Sequence, residues 1–136
     1  MRCGYKLNVD GSFLNGHMRG GGLLRNEYGS VLVAFITFYG PGSLLGAKVR
    51  AFLSSVEICK NLALMVAEIE SESETLVQTL HGNEVPPWNL TYLVRRCLLE
   101  IIYGCVVRHV RREANFLADS LSRGCITQGQ MIVYSS

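Results

Sequence analysis

Asp10, Glu72 and Asp119 are the acidic residues whose positions in the chain could support chemistry. Asp10 closes an alternating run, Lys6-Leu7-Asn8-Val9-Asp10, and Gly11-Ser12 follow it, so its carboxylate faces the loops where sites are usually built. Glu72 stands where a second alternating run gives way to a helix start. Asp119 lies one helical turn after Asn115, so both project from one side of that helix. Taken singly, each is more readily a surface carboxylate or a capping charge, and the case rests on the set. The charge layout adds weight to the set. Ala67 to Glu84 carries Glu68, Glu70, Glu72, Glu74 and Glu84 with no Lys or Arg, whereas Arg95 to Arg123 is rich in arginine. An acidic and a basic stretch in one small chain suggest metal-dependent chemistry on a polyanion.

The elements that must position these residues fit one domain, 1–136. The chain has 136 residues, 49% hydrophobic and 18% charged, with a net charge of +2. That length supports a sizeable core, and the apolar fraction excludes disorder. No apolar run reaches the roughly 18 to 20 residues of a membrane span, and Met1 to Lys6 lacks the apolar stretch of a secretory signal. Five scattered cysteines without a CxxC pair exclude a zinc site of usual spacing and read as small buried hydrophobes. An intracellular, reducing compartment (cytoplasm or nucleus) and a monomer are therefore expected.

Periodicity orders the elements. Strands are expected at Lys6–Asp10, from Leu23-Leu24, at Val31–Tyr39, at Val66–Glu70 and at Cys105–Val110. Helices are expected over Leu45–Leu64, from a Ser71/Glu74 cap to about Leu80, over Leu90–Ile102 and over Arg112–Arg123. Gly11 through Gly20-Gly21-Gly22 reads as a loop that turns into the second strand, and the tail after Gly124 is weakly patterned. Trp88 is expected to pack in the core or against a helix, with stacking on nucleic acid as the other reading. The order is that of an α/β domain whose leading strands form an antiparallel meander and whose later strands join in parallel.

Four segments carry a resemblance to a known family. Lys6-Leu7-Asn8-Val9-Asp10-Gly11-Ser12, Gly20-Gly21-Gly22-Leu23-Leu24-Arg25, Ile69-Glu70-Ser71-Glu72-Ser73 and His109-Val110-Arg111-Arg112-Glu113-Ala114-Asn115-Phe116-Leu117-Ala118-Asp119-Ser120-Leu121 resemble the plant branch of type 1 ribonuclease H. These are the reverse-transcriptase-like domains of plant genomes and retroelements. The resemblance runs from about Lys6 to Arg123, and its most specific part is the C-terminal motif. It implies a ribonuclease H-like fold: a five-stranded mixed sheet with helices on both faces. It also implies an endonuclease that hydrolyses the RNA strand of RNA–DNA hybrids with two Mg2+ (or Mn2+) ions. Magnesium takes hard oxygen ligands, and a pair of ions can stabilise the attacking and leaving oxygens together.

By that resemblance Asp10, Glu72 and Asp119 are catalytic and metal-binding, with Glu72 where the family has Asp. The family's second carboxylate opens the long helix in an Ala-Glu pair, and here the pair reads Ala47-Lys48. Glu57 does not replace it, being about 13 Å further along the helix and half a turn out of phase. Glu70 is nearer, but the family often has Glu there as well. An ammonium at position 48 beside Asp10, Glu72 and Asp119 would offset their repulsion and compete with metal; the other reading turns Lys48 to solvent. His109 reads as structural or as a phosphate neighbour. Arg111, Arg112, His109 and Asn115 are the candidate nucleic-acid contacts, of a salt-sensitive and sequence-independent kind. Three functions follow: a hybrid-cutting ribonuclease weakened by Lys48, an inactive nucleic-acid-binding descendant, or a retroelement remnant kept for protein contacts.

Overall fold

The structure, a computed structural model, describes residues 4–101 and 105–111, and the backbone of 132–135. Three strands open it: β1 (Tyr5–Leu14), β2 (His17–Arg25) and β3 (Val31–Pro41). They form the expected antiparallel meander, with Val9 opposite Gly22 and Gly22 opposite Phe35. Helix α1 (Leu44–Asn61) follows, then β4 (Val66–Ser71), α2 (Glu74–Leu80), a 3-10 turn (Trp88–Leu90), α3 (Thr91–Glu100) and β5 (Val106–His109). β4 pairs in parallel with β1, and β5 with β4. The five expected strands thus make a mixed sheet in the order β5-β4-β1-β2-β3, and β6 (Ile132–Ser135) extends it in parallel beyond β3. The sixth strand had no signal of its own, because a short parallel edge strand is defined by a distant partner rather than by local pattern.

Strand alternation divides the sheet into two faces. Leu7 and Val9 of β1, Leu24, Val33, Phe35, Ile69 and Val107 point to one face. There they form the main core with Val49, Phe52 and Val56 of α1, Leu76 and Leu80 of α2, and Val94 and Cys97 of α3. All three described helices contribute to this cluster. The helix expected over Arg112–Arg123 lies outside the described residues. The second face carries a small cluster of Leu23, Ala34 and Ile36. Cys59 and Cys97 are buried free thiols whose pKa burial pushes up to about 12, which fits small core hydrophobes.

Two boundaries differ from the sequence expectation. The Gly-rich stretch is strand rather than loop: β1 runs on to Leu14, and β2 already starts at His17 after an Asn15-Gly16 turn with both residues at positive φ. The glycines are there for the helix. A Cβ at Gly22 would lie 2.6 Å from Ser55 Oγ, and one at Gly20 would lie 2.9 Å from the Ala51 Cβ. Bare backbone on β2 lets α1 settle close to the sheet. The cap of α2 is also displaced. Ser73 Oγ accepts from Leu76 N, while Ser71 Oγ accepts from Ser73 N and shapes the turn before it.

Beside Asp10, the second face holds a polar network. Asn8 Nδ2 donates to Glu70 Oε1 at 2.9 Å, and Arg25 Nε donates to Asn8 Oδ1 at 2.9 Å. Lys6 Nζ lies 3.2 Å from Glu70 Oε2. Burial alone would raise the Glu70 pKa, but the hydrogen bonds from Asn8 and Lys6 and the charges of Lys6 and Arg25 outweigh it and hold the carboxyl below its ordinary value. A depressed folded-state pKa stabilises the fold above the ordinary glutamate value, and that stability drains away as pH falls through the lowered one. Glu70→Gln should therefore lose about 1–2 kcal/mol at pH 7 and show a flatter acid limb below about pH 4.5. Urea midpoints measured from pH 7 to pH 3 check this; parallel curves for the two proteins would contradict it.

Candidate active site

The site is built where α1 begins. Ser43 caps the helix, its Oγ accepting from Gly46 N at 3.0 Å while its carbonyl accepts from Ala47 N. The first turn then lies directly on β1 at Gly11. A Cβ on that residue would come within 2.3 Å of the Ala47 carbonyl carbon and 2.5 Å of Lys48 N. This close approach fixes the position of Lys48. Its Nζ donates to Asp10 Oδ1 at 3.0 Å and to the Gly11 carbonyl at 3.1 Å. The Asp10 side chain is 2% exposed and that of Lys48 16%, so the pair is inside the molecule and Lys48 does not turn to solvent. Asp10 sits within β1, opposite Gly21 of β2, rather than at the strand's end. Partial burial makes such a pair far less screened by salt than a surface bridge.

Glu72 follows the same edge. Val9 pairs with Ser71, so Asp10 and Glu72 continue from neighbouring positions of adjacent strands, and Glu72 Oε2 is buried. Across from it, His109 Nε2 lies 3.1 Å from the Glu72 carbonyl oxygen. A carbonyl only accepts, so in this contact Nε2 carries the proton and donates it. Arg111 is exposed just beyond β5, and Val110 N still donates to Ser71 O. Asp119, Asn115 and Arg112 lie outside the described residues.

The other acids are committed elsewhere. Glu57 accepts from Arg96 Nη2 at 2.7 Å, on the side of α1 that faces α3. Glu70 belongs to the Asn8–Arg25–Lys6 network. Among the described residues no cluster of three or more His, Cys, Asp or Glu side chains is arranged to hold a metal ion. Trp88 corrects the packing expectation: it is 88% exposed, because Pro86-Pro87 lead into a one-turn 3-10 helix that turns Leu90 inward instead. Sequence reasoning missed Asn8 and Arg25, although the alternation of Lys6, Asn8 and Asp10 already put three polar side chains on one sheet face.

Comparison with known proteins agrees with this architecture. A family model described as reverse transcriptase-like matches residues 8–125. RNase H1 from the halophilic archaeon Halobacterium salinarum NRC-1 superposes with a TM-score of 0.75 at 18% identity, covering 89% of this chain and 96% of that one. The N-terminal RNase H domain of rv2228c from Mycobacterium tuberculosis gives 0.78 at 18% identity, covering 91% and 94%. LC11-RNase H1, isolated from compost and solved in complex with an RNA/DNA hybrid, gives 0.78 at 21% identity, covering 90% and 96%. No curated protein matches the chain. With the match spanning most of its length, the chain belongs to the reverse transcriptase-like family and has the ribonuclease H fold.

Proposed function

We propose that this domain binds RNA–DNA hybrid and hydrolyses it weakly or not at all. The observation that carries the reading is the Lys48 ammonium 3.0 Å from Asp10 Oδ1, where the family resemblance calls for a metal-binding glutamate. The described residues do not fit a magnesium or manganese ion at Asp10. The ammonium already supplies the positive charge that carboxylate needs, and a further cation there would meet it at close range. With Lys48 in place of the family's second carboxylate, the proposed set of Asp10, Glu72 and Asp119 is one ligand short.

Binding needs none of these ligands. It rests on cations and donors at the same end of β4 and β5: exposed Arg111, His109 held against the Glu72 carbonyl, and by resemblance Arg112 and Asn115. LC11-RNase H1, of the same fold, was solved with a hybrid bound, which supports the choice of partner. The free cysteines support a reducing compartment. Among the described residues no helix is long and apolar enough to cross a membrane.

With a net charge of only +2, the affinity should be modest and steeply salt-dependent. Fluorescence anisotropy of a labelled hybrid should give a log–log salt slope of about −2 to −4, lowered in size by about 1 in Arg111→Gln. Absence of binding even at low salt would sink the proposal and favour a surface kept for protein contacts. Efficient magnesium-dependent cutting by the natural protein would equally overturn it.

A further inference from the structure

On an α-helix, side chains two residues apart point about 200° away from each other. Arg50 therefore leaves α1 on the side opposite Lys48, and there a trough of about 340 Å³ opens between α1, the end of β3 and α3. Its floor is polar and ordered. The Tyr39 hydroxyl lies 3.0 Å from the Arg50 carbonyl, to which it donates, and 2.9 Å from Ser54 Oγ, from which it accepts. Burial raises the Tyr39 pKa against the opposing effects of Ser54, Thr37 and the Arg50 charge, so the hydroxyl stays neutral and repels no anion. Two guanidinium groups, Arg50 and Arg96, line the trough against one carboxylate, Glu57, which Arg96 already engages at 2.7 Å. Among the described residues no carboxylate pairs with Arg50. The walls are apolar: Leu53, Leu93 and the half-exposed Phe38.

We propose that this trough is a second ligand site, taking a phosphate group on Arg50 and Arg96 with a planar or apolar body against Phe38 and Leu93. A guanidinium without an acidic partner beside neutral hydroxyls suits a phosphate, which arginine binds through two parallel N–H bonds. The volume lies at the lower end of small-molecule sites and matches a nucleoside monophosphate. The site is separate from Asp10 and holds whether or not the domain cuts or binds hybrid. Its phosphate comes either from a free nucleotide or from the phosphorylated end of a strand.

The probes are AMP, adenosine and two short oligonucleotides differing only in a 5′-phosphate, followed by amide NMR shifts on the full chain. AMP should perturb the amides around Arg50, Ser54 and Arg96, and adenosine should not. Arg50→Gln should weaken AMP binding roughly tenfold or more, and Arg50→Lys less. A preference for the 5′-phosphorylated strand over AMP assigns the site to strand ends; the reverse assigns it to free nucleotide. Equal binding of adenosine and AMP, or AMP binding indifferent to Arg50→Gln, would overturn the proposal. The natural protein gives an independent check, since its thermal midpoint should rise in AMP relative to adenosine at matched ionic strength. No such rise would count against the site even if the variant failed to fold.

Discussion

Lys48→Glu should convert the domain into a measurable hybrid-cutting ribonuclease, with a magnesium- or manganese-dependent rate at least ~100-fold above that of the natural protein. Two unit charges about 4 Å apart interact by roughly 4 kcal/mol at an effective dielectric near 20, so an ammonium beside Asp10 disfavours a neighbouring dication by about twice that. Each 1.36 kcal/mol is a factor of ten in occupancy or rate, so even a fraction of this repulsion accounts for the expected gap. The substitution removes the cation and restores a carboxylate at the start of α1, while Gly11 keeps the helix in place. Cleavage of end-labelled RNA in a hybrid measures the effect. Asp10→Asn in the Lys48→Glu background should abolish it, because Asp10 is the buried carboxylate beside position 48. Equal rates for the natural protein and Lys48→Glu would remove the part assigned to Lys48.

Gly11→Ala should cost about 3 kcal/mol of stability, the upper part of the range for overpacking a tight contact. The added methyl would come within 2.3–2.5 Å of three backbone atoms of Ala47 and Lys48. Backbone has no rotamer to yield with, so the first turn of α1 must lift off β1. Lifting it also draws Lys48 away from Asp10, and the variant should lose stability and the ion pair together. Gly16→Ala is the contrasting control. A Cβ there meets nothing within 4 Å, and only its φ of +77° makes a side chain costly, by roughly 1–2 kcal/mol. Urea unfolding of both variants gives the comparison. A smaller loss for Gly11→Ala than for Gly16→Ala would show that the helix is not pressed onto the strand at this point.

The meander and the long helix were legible because each rests on a local period that its own residues set, and the parallel pairing of β4 because a helix separates it from the meander. Val31–Tyr39 is β-branched and aromatic, and Val49, Phe52, Leu53 and Val56 repeat at helical spacing. The glycine run misled for a physical reason. Gly20-Gly21-Gly22 has the composition of a loop, yet it is strand because α1 needs bare backbone beneath Ala51 and Ser55. That requirement belongs to the tertiary contact and leaves no trace in strand propensity. Trp88 misled in the opposite direction, since a large aromatic before a helix suggests burial until Leu90 is seen taking the inward position.

The site was legible unevenly. Register from the long helix to Glu72 assigned Lys48 to the place of an acid, but only the Gly11 contact shows why its ammonium reaches Asp10 rather than solvent. The engagement of Glu70 by Asn8, Arg25 and Lys6 needed strand pairing to be known, because its partners come from two other strands, β1 and β2. Arg50 and Tyr39 carried no motif; their proximity arises only where β3 meets the outer side of α1.

The central claim is that Lys48 takes the place of a metal ion at Asp10. Manganese binding, followed by the loss of the free-ion electron paramagnetic resonance signal, tests it without requiring any cleavage. The account predicts no specific binding to the natural protein at millimolar manganese and clear binding to Lys48→Glu that Asp10→Asn removes. Specific binding to the natural protein, lost in Asp10→Asn, would contradict it.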